Sequence, residues 1–126
     1  MAKKILIIED NENNLKLFST ILNINGYETI EAKNGSDGIR LAKTEKPHLI
    51  LTDIQMPYMN GFEVFKILKS DPSTKDIPSI ALTALREKRE KFINFGFVDH
   101  IAKPIRLNDF LNTIKKHLNR GSKDRG

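Results

Sequence analysis

His48-Leu49-Ile50-Leu51-Thr52-Asp53 is an apolar run that ends abruptly on a carboxylate. A run apolar on both faces suits a central parallel strand with helices covering it on either side. Lys4-Ile5-Leu6-Ile7-Ile8 has the same form and stops at Glu9-Asp10. Between the two runs, residues from about Glu12 to Asn25 carry Leu15, Phe18 and Leu22 at helical spacing, with Asn11 in position to cap the start and Gly26 to end the helix. Tyr27 to Ala32 predicts a second strand, and Asn34-Gly35 a turn. Ile39, Leu41 and Ala42 then mark a short helix that stops before Pro47.

Working outward from Asp53 in the other direction, a loop from Ile54 to Gly61 contains Pro57 and leads into a helix with Phe62, Phe65 and Leu68, closed by Asp71-Pro72. Ile80 to Thr83 predicts strand four and Arg86 to Phe95 a fourth helix. Phe97 to Ala102 follows as strand five. Leu107, Phe110, Leu111, Ile114 and Leu118 repeat with a period near that of an α-helix. Five strands alternating with five helices predict an α/β doubly wound domain around a parallel sheet. The domain is expected over residues 1–119, and the apolar-free stretch 120–126 is expected to be a disordered polar tail.

Composition narrows the function classes. The 126 residues are 39% hydrophobic and 29% charged, ordinary for a globular domain, and no apolar run reaches the length of a membrane span. The N-terminus lacks the long apolar core of a signal peptide, so a cytoplasmic location is expected. There are no cysteines, which removes disulfides and thiolate chemistry. The net charge of +5 is concentrated around Arg86–Lys91 and in the last twelve residues, with no interleaved aromatics, so neither nucleic acid nor a membrane is expected as a partner.

In an open parallel sheet, ligands bind beyond the carboxyl ends of the strands. Those ends here carry Glu9-Asp10, Asp53 and Thr83, and strand five leads at once into Lys103-Pro104. Three neighbouring carboxylates repel one another unless a cation sits among them, and Mg²⁺ prefers such oxygen ligands. One carboxylate can then act as a nucleophile toward phosphorus, with Lys103 and the Thr83 hydroxyl neutralising or bonding the phosphoryl oxygens. Each residue alone has a plainer reading, as a helix cap, a strand residue or a surface lysine; their joint occurrence points to phosphoryl chemistry.

Ile7-Ile8-Glu9-Asp10-Asn11, Asp53-Ile54-Gln55-Met56-Pro57 with Gly61, Thr83-Ala84 and Lys103-Pro104, in this order, resemble the response-regulator receiver family over nearly the whole chain. Glu9 to Asn14 with Lys16-Leu17-Phe18, then Gly26-Tyr27-Glu28-Thr29, resemble the single-domain regulators of the DivK type. The resemblance implies a CheY-like, flavodoxin-like sheet of order 2-1-3-4-5. It also implies a phosphoacceptor at Asp53 that takes a phosphoryl group from a histidine kinase or a histidine phosphotransferase. Mg²⁺ would be held by Glu9, Asp10, Asp53 and the backbone carbonyl of Gln55. Lys103 would pair with the phosphoryl group, and its bond to Pro104 would be cis. Thr83 and the residue at position 100 would form the switch. Asn11, Asn14, Leu17, Pro104 and Ile105 would dock the partner, although Leu17 could instead widen the buried stripe of helix one. Such a module is a signalling phosphoacceptor with weak self-phosphorylation and dephosphorylation chemistry, not a metabolic enzyme.

Two departures stand out. Position 100 is His where the family usually has Tyr or Phe, which makes a pH-sensitive switch conceivable beside a plain half-exposed strand histidine. The stretch from Thr83 to Gly96 is shorter than usual, at the entry to helix four. The alternatives are a receiver fragment of a hybrid kinase and a phosphate-independent interaction module. A small-substrate phosphatase is disfavoured because Gln55 stands where a second acid is expected and no cap insertion is present.

Overall fold

A computed structural model describes residues 2–123. Five strands alternate with five helices: β1 (Lys4–Ile8), α1 (Glu12–Ile24), β2 (Glu28–Ala32), α2 (Gly35–Glu45), β3 (Leu49–Asp53), α3 (Gly61–Ser70), β4 (Ser79–Thr83), α4 (Arg89–Phe95), β5 (Asp99–Ala102) and α5 (Leu107–Lys123). All neighbouring strands are parallel, in the order β2-β1-β3-β4-β5. The order reverses between β1 and β3, which makes their carboxyl ends the switch point where such sheets bind ligands.

The side-chain alternation of the strands separates two apolar layers. Ile5, Ile7, Leu49, Leu51, Ile80, Leu82 and Ile101 face Leu15, Phe18 and Leu22 of α1 and Phe110, Ile114 and Leu118 of α5. Leu6, Ile8 and Ile50 face Ala42 of α2 and Val64 and Leu68 of α3. A third cluster joins Ile54, Phe65 and Ala81 to Phe92 of α4 and to Phe97. Burial of these side chains on both faces is the main force that fixes the strand ends on one edge.

Several boundaries differ from those read in the sequence, each for a local reason. Asn34 is not a turn residue: its side chain accepts from the Asp37 N–H at 2.8 Å and caps α2. α4 begins at Arg89 rather than Arg86, because Lys88 is in extended conformation (φ -70°, ψ 148°) and stands as the N-cap; the chain leaving β4 is tied back by a hydrogen bond from the Leu85 N–H to the Thr83 hydroxyl at 2.9 Å. α5 is helical through Lys123, past the last apolar position. Residues 124–126 of that expected tail lie outside the described residues.

Candidate functional site

The register carries four strand ends to one place. Ile8 pairs with Thr52, Asp53 with Leu82 and Thr83 with Ala102, so Glu9, Asp53, Thr83 and Lys103 lie beyond or at adjacent strand termini. Glu9 is fully buried and Asp53 nearly so, whereas Asp10 is exposed. One carboxylate oxygen from each of the three lies within 4.8 Å of the others. The Lys103 ammonium spans the cluster, 2.9 Å from Glu9 Oε1 and 3.1 Å from Asp53 Oδ1. The second Glu9 oxygen accepts from the Asn11 N–H at 3.2 Å. The Lys103–Pro104 peptide bond is cis.

The electrostatics follow from this crowding. Burial, and next the Glu9 charge, push the Asp53 carboxyl up to about 7, against the opposing pull of Lys103. Burial works against the Lys103 ammonium. The hydrogen bond to Glu9 and the charge of Asp53 outweigh it and hold lysine above its ordinary value. One ammonium is therefore too little positive charge for three carboxylates. An oxygen-only donor set with a surplus of negative charge and one exposed member fits a hard divalent cation such as Mg²⁺.

Asp53 is positioned from both ends. Behind it lies β3, wholly buried. After it, the Gly61 N–H donates to the Ile54 carbonyl at 2.9 Å and folds the loop back. A Cβ at Gly61 would strike the Asp53 carbonyl oxygen and lie 2.9 Å from the Ile54 Cα, so only a bare backbone fits. The Asn60 and Glu63 side chains and backbones cap the start of α3 reciprocally. Gln55 is exposed in this loop.

Thr83 is fully buried, its hydroxyl engaged by the Leu85 N–H. His100 points from the opposite side of β5 to Ile101 and stacks on Phe92, with ring centroids 5.2 Å apart and planes 12° from parallel. Phe92 in turn stacks on Phe62 of α3 at 5.9 Å and 2°. The His100 Nδ1 is buried and has no hydrogen-bond partner among the described residues. The histidine at position 100 is thus half-buried and packed as an aromatic ring rather than free in solvent.

Asn14, Leu17, Pro104 and Ile105 line one cleft with Phe18, Ala84 and Lys103, about 420 Å³ in volume, immediately beside the acidic cluster. Leu17 is 48% exposed and does not widen the buried stripe, which is Leu15, Phe18, Ser19 and Leu22. Asn11 stands apart from this cleft: its side chain accepts from the Asn14 N–H at 2.9 Å and caps α1.

A second polar cluster escaped the sequence reading. Asp99, at the start of β5, accepts from His117 Nε2 of α5 at 2.9 Å, from Arg89 Nε of α4 at 3.1 Å and from the His100 N–H at 2.9 Å. Its burial alone would raise the carboxyl, but His117, the His100 N–H and Arg89 together hold it below the usual aspartate value. A signal for His117 existed: it follows Phe110 and Ile114 on the inner stripe of α5, where a polar ring needs a partner. That Asp99 supplies it depends on how α5 packs.

Comparison with known proteins agrees with this geometry. Residues 5–115 match the family model described as response regulator receiver domain. The polar-differentiation response regulator DivK of Brucella anthropi is 44% identical over 120 residues, covering 94% of this chain and 98% of that protein. Among solved structures, a Francisella response regulator receiver domain superposes with a TM-score of 0.87 at 25% identity, over 94% of this chain and 98% of the other. The receiver domain of a sensor histidine kinase from Pseudomonas aeruginosa, solved with a magnesium ion coordinated in its active-site cleft, gives 0.84 at 26% identity, over 94% and 99%.

Proposed function

The chain belongs to the response regulator receiver family, and from that premise we propose that Asp53 is the residue that accepts a phosphoryl group from a histidine kinase or a histidine phosphotransferase. Receivers are the signalling phosphoacceptors of two-component systems, and this chain is similar to DivK single-domain regulators across nearly the whole of both. The observation that carries the proposal is the place of Asp53: a nearly buried carboxylate at the switch point, with Glu9 and Asp10 beside it and Lys103 3.1 Å away.

In the proposed reaction an Asp53 carboxylate oxygen attacks phosphorus as the P–N bond to the partner imidazole breaks, the electron pair staying on nitrogen. Glu9, Asp10, Asp53 and the Gln55 carbonyl would hold Mg²⁺, which supplies charge neutralisation to the phosphoryl oxygens when bound. Lys103 exchanges its contact with Asp53 for one with a phosphoryl oxygen. Thr83 breaks from the Leu85 N–H to bond another, and His100 with its Phe92 partner senses the movement. The partner's helices would dock on the cleft of Asn14, Leu17, Pro104 and Ile105, with Asn11 contributing from the start of α1 outside it. The phosphoryl donor chain works from cytoplasmic ATP, so we place the protein in the cytoplasm.

Incubation with acetyl phosphate, with and without Mg²⁺, followed by intact-mass measurement tests the assignment. A phosphoryl adduct is expected only with Mg²⁺ and is absent from Asp53→Asn. An intact fold without any adduct would favour a phosphate-independent interaction module instead.

A further inference from the structure

We propose that the groove between α3 and α4 is a docking surface for an acidic protein segment that carries one large apolar or aromatic side chain. The groove, about 590 Å³, is lined by Phe65, Lys66, Lys69, Ser70, Phe95 and Gly96. It lies outside the acidic cluster and outside the cleft around Leu17 and Pro104, and it needs no phosphoryl group at Asp53.

Its floor is aromatic. Phe62, Phe65, Phe95 and Phe97 pack edge to face and tilted, with centroids 4.4–6.1 Å apart. Phe95 nevertheless remains 40% exposed at the end of α4, where a fully satisfied cluster would have covered it. Gly96, at φ +130°, keeps the wall open: a Cβ there would approach the Phe65 ring to 2.7 Å. An aromatic floor with one exposed ring is the kind of pocket that holds a single anchor side chain.

The rim decides the sign of the occupant. Every charged residue lining the groove is a lysine. The Lys69 ammonium sits 5.3 Å from the Phe65 ring centroid and donates to the Lys75 carbonyl at 2.7 Å, with no ion-pair partner among the described residues. Lys66 is exposed and has no ion-pair partner among the described residues. Lys91, 5.9 Å over the Phe62 ring, is already paired with Glu87, so the unpaired positive charge at the groove is that of Lys66 and Lys69. Complementary charge around an apolar anchor steers and orients a partner. The chain's own last residues have the wrong sign, since Arg120 to Gly126 contains three cations and one carboxylate. The net charge of +5 likewise disfavours a second copy.

The test is a random peptide-display selection on the full, unphosphorylated chain, with recovered peptides then titrated into ¹⁵N-labelled protein. Recovered sequences are expected to place Asp and Glu around one Phe, Trp or Leu, and to shift the amides of Phe65, Lys66, Lys69, Phe95 and Gly96. Lys66→Glu with Lys69→Glu, and separately Phe95→Ala, should each weaken binding on the order of tenfold, while amide spectra away from the groove stay unchanged. No enrichment, a neutral or basic consensus, or acidic peptides indifferent to both variants would overturn the proposal. Two further results would overturn it: sedimentation showing a dimer that Phe95→Asp dissolves, and binding to phosphatidylserine vesicles that Lys66→Glu abolishes.

Discussion

Asp53 and Asp99 are two aspartates at strand termini with opposite electrostatic fates, and the neighbours of each explain why. Asp53 faces two carboxylates with a single ammonium; Asp99 faces a histidine, an arginine and a backbone N–H. Because the folded Asp53 value is raised to about 7, its ionisation works against the fold. The penalty begins at the ordinary carboxylate value and is complete above about 7. Asp53→Asn should therefore stabilise the metal-free chain at alkaline pH. After allowance for the partner that Lys103 loses, the gain is about 1–2 kcal/mol in urea unfolding with a chelator present. Asp99 has the reverse sign. Its folded value is depressed, so its contribution is fully present above the unfolded carboxylate value and drains away as pH falls through the lowered folded one. Asp99→Asn should destabilise the chain at neutral pH, and denaturant titrations in acid should show the difference from wild type shrinking. His117→Ala, which removes the ring and leaves Asp99 short of a donor, should cost about 2–3 kcal/mol at neutral pH, with part recovered in His117→Gln.

At the scale of elements, the turn from β3 into α3 governs how rigidly Asp53 is held. Gly61 is the closest approach in that turn, and a methyl group there must push back either the Asp53 carbonyl or Ile54. Gly61→Ala is expected to lower stability by about 1–3 kcal/mol. If Asp53 is the acceptor as proposed, the variant should also slow phosphorylation from acetyl phosphate, as timed by intact mass, because the carboxylate is displaced while its chemistry is untouched. The α4 region shows a different kind of control. Its short helix has no side-chain cap at Lys88, and its hold on the domain comes from Phe92 and the Arg89–Asp99 pair. Phe62, Phe92 and His100 form a continuous ring stack from α3 to β5. The histidine at position 100 takes part in that stacking as a flat ring while adding a buried nitrogen that has no hydrogen-bond partner among the described residues.

For the whole molecule, the sheet edge behaves as one charged device. At the proposed site, Mg²⁺ bound by Glu9, Asp10 and Asp53 would require Asp53 to be ionised, so affinity should fall as pH drops below about 7. Calorimetric titration in buffers of different ionisation enthalpy should register proton release near neutral pH and little at higher pH. A pH-independent affinity would contradict the raised Asp53 value. Among the described residues no helix is long and apolar enough to cross a membrane.

Much of this was legible before any coordinates. Ile5 to Ile8 and Leu49 to Leu51 are apolar at every position, which suits a strand covered on both faces. The polar residues that follow each run mark a sheet edge, so Glu9-Asp10, Asp53 and Thr83 could be grouped from the chain alone. Local pattern also found the cap at Asn11 and the stripe of α1. What it could not reach were contacts between side chains far apart in the chain. Asp99 meets His117 across eighteen positions, and Lys103 meets Glu9 across ninety-four. The start of α4 is not legible locally, since its N-cap, Lys88, makes no side-chain capping bond that would mark it. Periodicity and chain punctuation are local properties and survive in the sequence. Burial, pKa and the choice of hydrogen-bond partner depend on which surfaces packing brings together, and only the tertiary structure decides them.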